Sequence, residues 1–358
     1  MDNQRSTLAL AYDQSSFHKY QPSLLALKQV RPTKLSCAYL HSVEAEPEQF
    51  LPAAPQFFRL QVAFAFQAHL DELAENSSGQ IKYFESDLLI ENSYKEAMKG
   101  CELVIHTASP FVMDSKDPQK EVIDPALIGT QNVLKTVNEV ESVKRVVLTS
   151  SVAAIYGNGV DAQSVDGGIF NESMWNTTST ATDGEYSYSK TIAEKEAWRI
   201  NEEQKRWDLV VINPSFVLGP SLNSDAMFES KKFMLQMGNG DLTSGAPDVT
   251  MGMVDVRDVS KAHVIAGFNE KAKGRHILSG ETHTLLEAGC FIKEKFGDKY
   301  PVPTRNAPKF LIWILAPFLG IKRNFVSKNI GYKIDFDNIL VNKSKIKMEL
   351  NNISRIEQ

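Results

Sequence analysis

Glycine is missing from the first 78 residues of this chain, although the whole sequence contains 20 glycines. At the usual frequency of about 7%, about five would be expected in a stretch of that length. Folds that bind a dinucleotide ordinarily place a glycine-rich turn after their first strand, because glycine permits the tight turn and lets the backbone approach the pyrophosphate. The sequence therefore lacks the usual phosphate-binding fingerprint in this region.

Cysteine, basic clusters and long apolar runs are also scarce. Cys37, Cys101 and Cys290 are too scattered for a CxxC pair, a zinc knuckle or a disulfide framework, and the seven histidines lack metal-ligand spacing, so no metal is expected. A net charge of -5 without a Lys/Arg-rich run argues against a nucleic-acid partner. The apolar run FLIWILAPFLGI (310–321) is shorter than the ~20 residues that cross a bilayer and contains Pro317, so we expect a buried helix and no membrane partner.

The length and the amino terminus set further limits. A chain of 358 residues exceeds a usual single domain, which predicts one large domain or two unequal ones. No apolar, small-residue-terminated segment opens the chain, so we expect a reducing, cytoplasmic location.

From about residue 79 onward, short apolar runs alternate with amphipathic helical stretches. The predicted strands are IKYF (81–84), ELVIHT (102–107), RVVLT (145–149) and LVVIN (209–213), and the predicted helices cover 93–99, part of 125–140 and 186–203. Runs of Val, Ile and Leu are typical of parallel strands that are buried on both faces. The alternation predicts a doubly wound α/β fold with a parallel sheet. A polar loop at 157–184 is expected over the carboxyl ends of the strands, where such sheets bind ligands.

The order becomes irregular after residue 213, and a Pro-rich stretch, YPVPTRNAP, spans 300–308. We therefore expect a Rossmann-like domain that comprises residues 1–220 and also 251–280. A smaller substrate-binding lobe would comprise 221–250 and 281–358.

The helical segment EYSYSKTIAEKEAW places Tyr186 and Lys190 one turn apart, so that the two side chains share a helix face. A nearby cation favours the phenolate and would lower the tyrosine pKa from its usual ~10, which suits proton transfer to a carbonyl that is being reduced. The spacing alone is also met by chance in ordinary surface or core pairs. Ser151, directly after the strand RVVLT, is by itself typical of a turn, but the combination of that serine, the loop and the Tyr-x-x-x-Lys pair favours catalysis.

Six motifs resemble the extended short-chain dehydrogenase/reductases, and most closely the dihydroflavonol reductase and cinnamoyl-CoA reductase branch. They are TSSVAAIYG (149–157), YSYSKTIAEKEAW (186–198), INPSFVLGP (212–220), IHTASP (105–110), VDVRDVSKAH (254–263) and KYPVP (299–303). The resemblance covers about residues 69–350. It implies that Ser151 binds the substrate carbonyl, that Tyr186 delivers a proton, and that Lys190 lowers the tyrosine pKa and binds the nicotinamide ribose.

The same resemblance implies further binding residues. The positions matching those that contact the cofactor are Asp87 and Leu88 beside adenine, Ala108 and Ser109 beside the ribose and phosphates, and Pro214 and Ser215 near nicotinamide. Tyr156 stands where the plant flavonoid enzymes have a substrate-binding Asn, which argues against assuming a flavonoid substrate. NADP(H) is favoured as the cofactor. Gln67 and Ala68 stand where the family usually has the Arg or Asp that reads the ribose 2′ position, so NAD(H) stays open as the alternative.

The first 68 residues do not match this family, and three explanations are open. They could reflect a reading-frame change upstream of His69, an atypical first βαβ unit that still holds a cofactor, or the loss of cofactor binding in a pseudoenzyme. The period-two pattern of FFRLQVAFAF (57–66) predicts a second strand within this region.

The resulting hypothesis is an NAD(P)H-dependent carbonyl reductase that acts on a small-molecule ketone or aldehyde. A nucleotide-sugar epimerase or dehydratase and a non-catalytic binding protein are the alternatives, and a homodimer is the family's common arrangement.

Overall fold

The computed structural model describes residues 7–13, 37–42, 80–109, 115–220 and 229–337. Within them the strands are β1 (Thr7–Asp13), β2 (Cys37–Ser42), β3 (Gln80–Glu85), β4 (Leu103–His106), β5 (Arg145–Thr149), β6 (Ile169–Phe170), β7 (Asp208–Pro214), β8 (Phe216–Leu218), β9 (Thr250–Asp255), β10 (Gly274–Leu278), β11 (Glu281–Thr284) and β12 (Asp335–Phe336). The α-helices are α1 (Lys95–Met98), α2 (Asp124–Glu139), α3 (Glu185–Glu202), α4 (Glu229–Gly238), α5 (Val256–Phe268), α6 (Leu285–Phe296), α7 (Lys309–Leu315) and α8 (Arg323–Asn329).

A seven-stranded parallel sheet in the order β10-β7-β5-β4-β2-β1-β3 organises the molecule. The strands β4, β5 and β7 are covered on both faces. Along β5, Val146 and Leu148 belong to the core cluster that contains residues of α2 and α3, whereas Val147 belongs to the cluster that contains residues of α5. The expected doubly wound α/β fold is confirmed, and the lack of polar alternation in RVVLT has this two-sided burial as its cause.

The first two strands stand in exchanged positions. In the common doubly wound order, 3-2-1-4-5-6, the first strand of the chain lies beside the fourth. Here β2 pairs with β4, opposing Cys37 to Leu103, and β1 pairs with β3, opposing Leu8 to Ile81. The first unit is thus atypical, as the glycine-free sequence suggested. The strand predicted at 57–66 lies outside the described residues.

A smaller set of strands follows β7. Strand β9 pairs with β8 in parallel and with β11 in antiparallel, whereas β10 returns to the large sheet beside β7. A separate pair joins β12 to β6, so the carboxyl-terminal part contacts the loop that precedes α3. The division into a Rossmann-like domain and a substrate lobe stays a prediction.

The apolar run at 310–321 is not a buried helix, and that expectation is wrong. Helix α7 and the following 3-10 turn (Ala316–Leu319) bury only Ile312 and Ala316 well, while the exposed fraction reaches 69% at Phe310 and 87% at Phe318. The buried side packs against residues of α8 such as Val326. A helix that packs on one side can bury only one stripe, so an all-apolar sequence leaves its other faces in solvent. None of the described helices is long and apolar enough to cross a membrane.

Candidate active site

Ser151 lies at the carboxyl edge of the sheet, directly after β5. It begins a short 3-10 turn (Val152–Ala154), and its Oγ accepts a hydrogen bond from the Ala153 N–H at 3.1 Å. Because β4, β5 and β7 are parallel neighbours, Ala108 and Ser215 emerge at the same edge. Ser151 thus lies at the carboxyl end of a strand, as the sequence predicted, and its part in ligand binding stays a prediction.

The loop at 157–184 is anchored beside this turn. The buried Asn176 donates to the Ala153 carbonyl at 2.9 Å and accepts from the Ser179 N–H at 3.1 Å. Gly184 then starts α3 in the left-handed region, with φ of 79°, and a Cβ at this position would meet the Ser179 Oγ at 2.9 Å. Glycine is therefore required where the chain turns into the helix, and this turn sets the start of α3 close to Ser151.

Tyr186 and Lys190 lie one turn apart on α3, with the lysine Nζ 5.7 Å from the centre of the tyrosine ring. A side-chain hydrogen bond joins Tyr186 to Ser151. Burial raises the pKa of Tyr186 to about 12, and the Ser151 hydrogen bond acts in the opposite direction. The expected lowering of this pKa by Lys190 is wrong for this fold, because desolvation of the phenolate is the larger effect.

Lys190 is buried beneath the tyrosine, and burial lowers its pKa to about 8, against the opposing effect of Glu194. His106, at the end of β4, is 1% exposed, and neither ring nitrogen has a hydrogen-bond partner among the described residues. Burial and the charge of Lys190 lower the His106 pKa to about 3. The imidazole is therefore neutral near pH 7, and Lys190 is the cation of this site.

Two of the positions predicted to contact a cofactor lie after β3. Asp87 is partly exposed and accepts a hydrogen bond from the Leu89 N–H at 2.7 Å through its carboxylate. Leu88 is buried, and its carbonyl accepts from the Asn132 side chain at 2.8 Å. Asp87 is thus the more accessible of the two, whereas Leu88 packs against α2.

The other positions lie after β4 and β7. Ala108 is buried and Ser109 is half-buried at the end of β4. Pro214 is the last residue of β7, and the Ser215 N–H donates to the Leu278 carbonyl at 2.8 Å. The Ser215 Oγ is buried and has no hydrogen-bond partner among the described residues. A buried hydroxyl of this kind is a polar atom with bonding capacity left for a ligand.

Tyr156, predicted to bind substrate, belongs to an aromatic cluster. Its ring stacks on Phe170 with centroids 4.8 Å apart, and the ring of Phe336 lies 5.9 Å away. Burial raises the pKa of Tyr156. Packing occupies the ring, and a role of its hydroxyl toward substrate stays a prediction.

Sequence reasoning missed three polar residues beneath the site. They are Glu194, Asn213 and Arg275, which the structure connects to one another by hydrogen bonds. The signal for Glu194 was present, because it follows Lys190 by one helical turn on the same face. Its partner Arg275 comes from β10, and no local pattern connects the two.

Comparison with known proteins agrees with this geometry. Residues 61–284 match the model of the 3-beta hydroxysteroid dehydrogenase/isomerase family. The cinnamoyl-CoA reductase CAD2 of Medicago truncatula is 41% identical over 231 residues, which cover 64% of this chain and 68% of that protein. An anthocyanidin reductase of Vitis vinifera is 35% identical over 248 residues, which cover 66% of this chain and 71% of that protein.

A solved structure extends the likeness to most of the fold. Gre2 from Candida albicans, determined in complex with NADPH, superposes with a TM-score of 0.62 at 25% identity and covers 90% of this chain and 97% of its own. The family match, the reductase relatives and the shared fold together show that this chain is an oxidoreductase of the 3-beta hydroxysteroid dehydrogenase/isomerase family.

Proposed function

We propose that the protein is an NAD(P)H-dependent carbonyl reductase that uses Ser151, Tyr186 and Lys190. The observation that carries this function is the hydrogen bond between Tyr186 and Ser151, above a buried Lys190, at the carboxyl edge of a parallel sheet. Open α/β sheets bind their ligands at that edge. A proton donor, a hydroxyl that can bind an oxygen and a cation are thus brought together at the place where a substrate would lie.

The roles follow from the protonation states. A nicotinamide dinucleotide, when bound, would supply the hydride for the carbonyl carbon. The Tyr186 phenol, which keeps its proton near pH 7, donates that proton to the carbonyl oxygen as the oxygen becomes negative. Ser151 holds the same oxygen by a hydrogen bond, and the Lys190 ammonium stabilises the phenolate that the proton transfer leaves.

The residues at the sheet edge fit a nicotinamide cofactor. The Ser215 Oγ, next to Pro214, has no hydrogen-bond partner among the described residues and would bond the carboxamide, and Lys190 would donate to a ribose hydroxyl. Asp87 at the end of β3 would accept from the adenosine ribose, and Ala108 and Ser109 would line the path between. We favour NADP(H) over NAD(H), because a structural relative was solved with NADPH.

The substrate we propose is a ketone or an aldehyde of small to medium size. The curated relatives are named for a cinnamoyl thioester, an anthocyanidin and a tetraketide pyrone, which differ widely in shape. Tyr156 in place of an Asn argues against assuming a flavonoid substrate. The homodimer stays a prediction of the family resemblance, and the cytoplasmic location stays a prediction from the sequence.

The test is a fluorescence titration with NADPH and with NADH, followed by an absorbance assay of NADPH oxidation. An aliphatic aldehyde, a vicinal diketone and a cinnamoyl thioester serve as substrates, and UDP- and dTDP-sugars serve as the epimerase or dehydratase control. We expect saturable binding near micromolar NADPH and turnover of at least one carbonyl compound. Absence of binding up to millimolar concentrations of both cofactors would refute the proposal.

A further inference from the structure

Glu194 occupies an unusual place for a carboxylate. It lies on the same face of α3 as Tyr186 and Lys190, one turn beyond the lysine, and its exposed fraction is 1%. Carboxylates are almost never buried so completely unless they are paired and hydrogen-bonded. The burial of this carboxylate therefore requires partners, which the strand ends and Arg275 provide.

The carboxylate of Glu194 binds the ends of two strands. Its Oε2 accepts from the Ser150 hydroxyl at 2.6 Å and from the Asn213 side-chain amide at 2.7 Å. The same amide also donates to the Ser151 carbonyl at 3.1 Å. Glu194 thus holds the dipeptide Ser150–Ser151 at the end of β5 and the end of β7 against the helix that carries Tyr186 and Lys190.

Arg275 on β10 neutralises and fixes this carboxylate. Its Nε lies 2.5 Å from Oε1 of Glu194, and the two side chains are 7% and 0% exposed. The guanidinium also lies 3.8 Å from the centre of the Trp175 ring and donates to the Glu172 carbonyl at 2.9 Å. The pair therefore also connects the loop at 157–184 to the strand ends.

Stability alone does not account for such a pair. A buried ion pair is often no more stabilising than apolar residues of similar volume, because both charges lose their water. Its value lies in geometry, since charge-assisted hydrogen bonds fix distance and direction more tightly than apolar packing. In this protein the fixed groups are the strand end that carries Ser151 and the helix that carries Tyr186 and Lys190.

We propose that Glu194 is the positioning residue of this site, fixing the Ser151 strand end against the Tyr186–Lys190 helix. The inference rests on the proposed carbonyl reduction. Glu194 touches neither a substrate nor a cofactor, and it acts through Ser150, Asn213 and Lys190.

The charged and titratable groups around Lys190 determine the direction in which loss of the Glu194 charge shifts the pH dependence of activity. On α3 they are Tyr186, which is neutral, and Glu194, which is negative. His106 faces the lysine from β4 as a neutral imidazole, and Arg275 stands behind Glu194 on β10. Neutralising Glu194 removes the one opposing charge and leaves the arginine uncompensated. Both changes favour the neutral lysine, so the alkaline limb of activity should move to lower pH.

The experiment compares Glu194→Gln with Glu196→Gln, a control on the same helix whose partners Arg199 and Gln131 lie away from the site. Initial rates of carbonyl reduction are measured from pH 6 to 10, together with NADPH affinity by fluorescence and the melting temperature. For Glu194→Gln we expect kcat at pH 7 to fall at least ~10-fold with KM changed less than about threefold. The alkaline limb should move down by about one pH unit. The control should stay within about twofold of wild type.

A lower melting temperature with wild-type kcat and pH profile would overturn the inference and leave Glu194 a structural residue. Should Glu194→Gln fail to fold, Ser150→Ala decides, because it removes one bond to the carboxylate but keeps the charge. We then expect kcat several-fold lower with an unmoved alkaline limb, and wild-type kcat would overturn the inference. If wild type turns over a carbonyl compound and both variants keep that activity, only the positioning role is refuted. If wild type turns over no carbonyl compound, the proposed function itself is refuted.

Discussion

Tyr186 holds its proton although the ammonium of Lys190 lies 5.7 Å from the centre of its ring. Burial raises the tyrosine pKa to about 12, so the loss of water around the phenolate outweighs the attraction of the cation. A protonated phenol is a donor, and reduction of a carbonyl needs a donor at the oxygen. The arrangement therefore favours the reducing direction near neutral pH.

Replacing Tyr186 by Phe should remove the proton donor and little else. We expect kcat to fall by about 10²- to 10⁴-fold, the usual contribution of a positioned acid, with NADPH affinity changed less than about threefold. The measurement is the rate of NADPH oxidation with the best carbonyl substrate. Tyr188→Phe, on another face of the same helix, is the matched control and should keep wild-type activity. Equal losses in both variants would mean that the hydroxyl of Tyr186 has no special role.

The activity should depend on the protonation of Lys190. Burial lowers the pKa of this lysine from 10.5 to about 8, so the group is charged below that pH and neutral above it. We expect kcat/KM to decline as the pH rises through about 8, since this ratio reports groups of the free enzyme. In Lys190→Arg, whose guanidinium stays charged, any residual activity should lack this limb. A flat wild-type profile up to pH 10 would contradict the assignment.

The buried charge of Lys190 should lower the free energy of unfolding of wild type. Its folded pKa lies below its unfolded value of 10.5, so at pH 7 the protein holds a buried charge that the unfolded chain solvates freely. Lys190→Met is expected to raise the free energy of unfolding by roughly 1–3 kcal/mol at pH 7. Between about pH 8 and 10.5 the unfolded state binds more protons than the folded state, so the free energy of unfolding of wild type rises with pH. The difference between Lys190→Met and wild type should therefore be smaller at pH 9.5 than at pH 7. Urea denaturation at pH 7 and pH 9.5 measures both values, and a larger difference at pH 9.5 would be inconsistent with a depressed lysine pKa.

Local patterns predicted the central strands of the sheet and the neighbouring positions of Tyr186 and Lys190 on one helix, whereas the catalytic roles of these residues stay a proposal. The strand RVVLT and the helix that begins before Tyr186 are found where periodicity placed them, because burial on both faces and an i, i+4 spacing are properties of neighbouring residues. Ser151 could be placed for the same reason, since parallel strands end at a common edge.

Features that depend on distant contacts could not be predicted. The burial of Glu194 requires Arg275 from strand β10, and the raised pKa of Tyr186 requires burial by elements that are distant in sequence. The exchange of β1 and β2 in the sheet has no local signal, because both positions call for the same kind of apolar strand. Exposure of Phe318 likewise depends on what packs against its helix, not on its sequence.

The exposed helix α7 gives a test of the packing. Ile312 is 7% exposed and contacts the small core cluster with α8, so Ile312→Ala should lower the free energy of unfolding by about 2–5 kcal/mol through lost contacts and a cavity. Phe318 is 87% exposed, so Phe318→Ser should change the free energy by no more than about 0.5 kcal/mol. Urea denaturation of the two variants beside wild type measures the contrast. Destabilisation by Phe318→Ser comparable to that by Ile312→Ala would show that the outer face of the 3-10 turn after α7 is covered in solution.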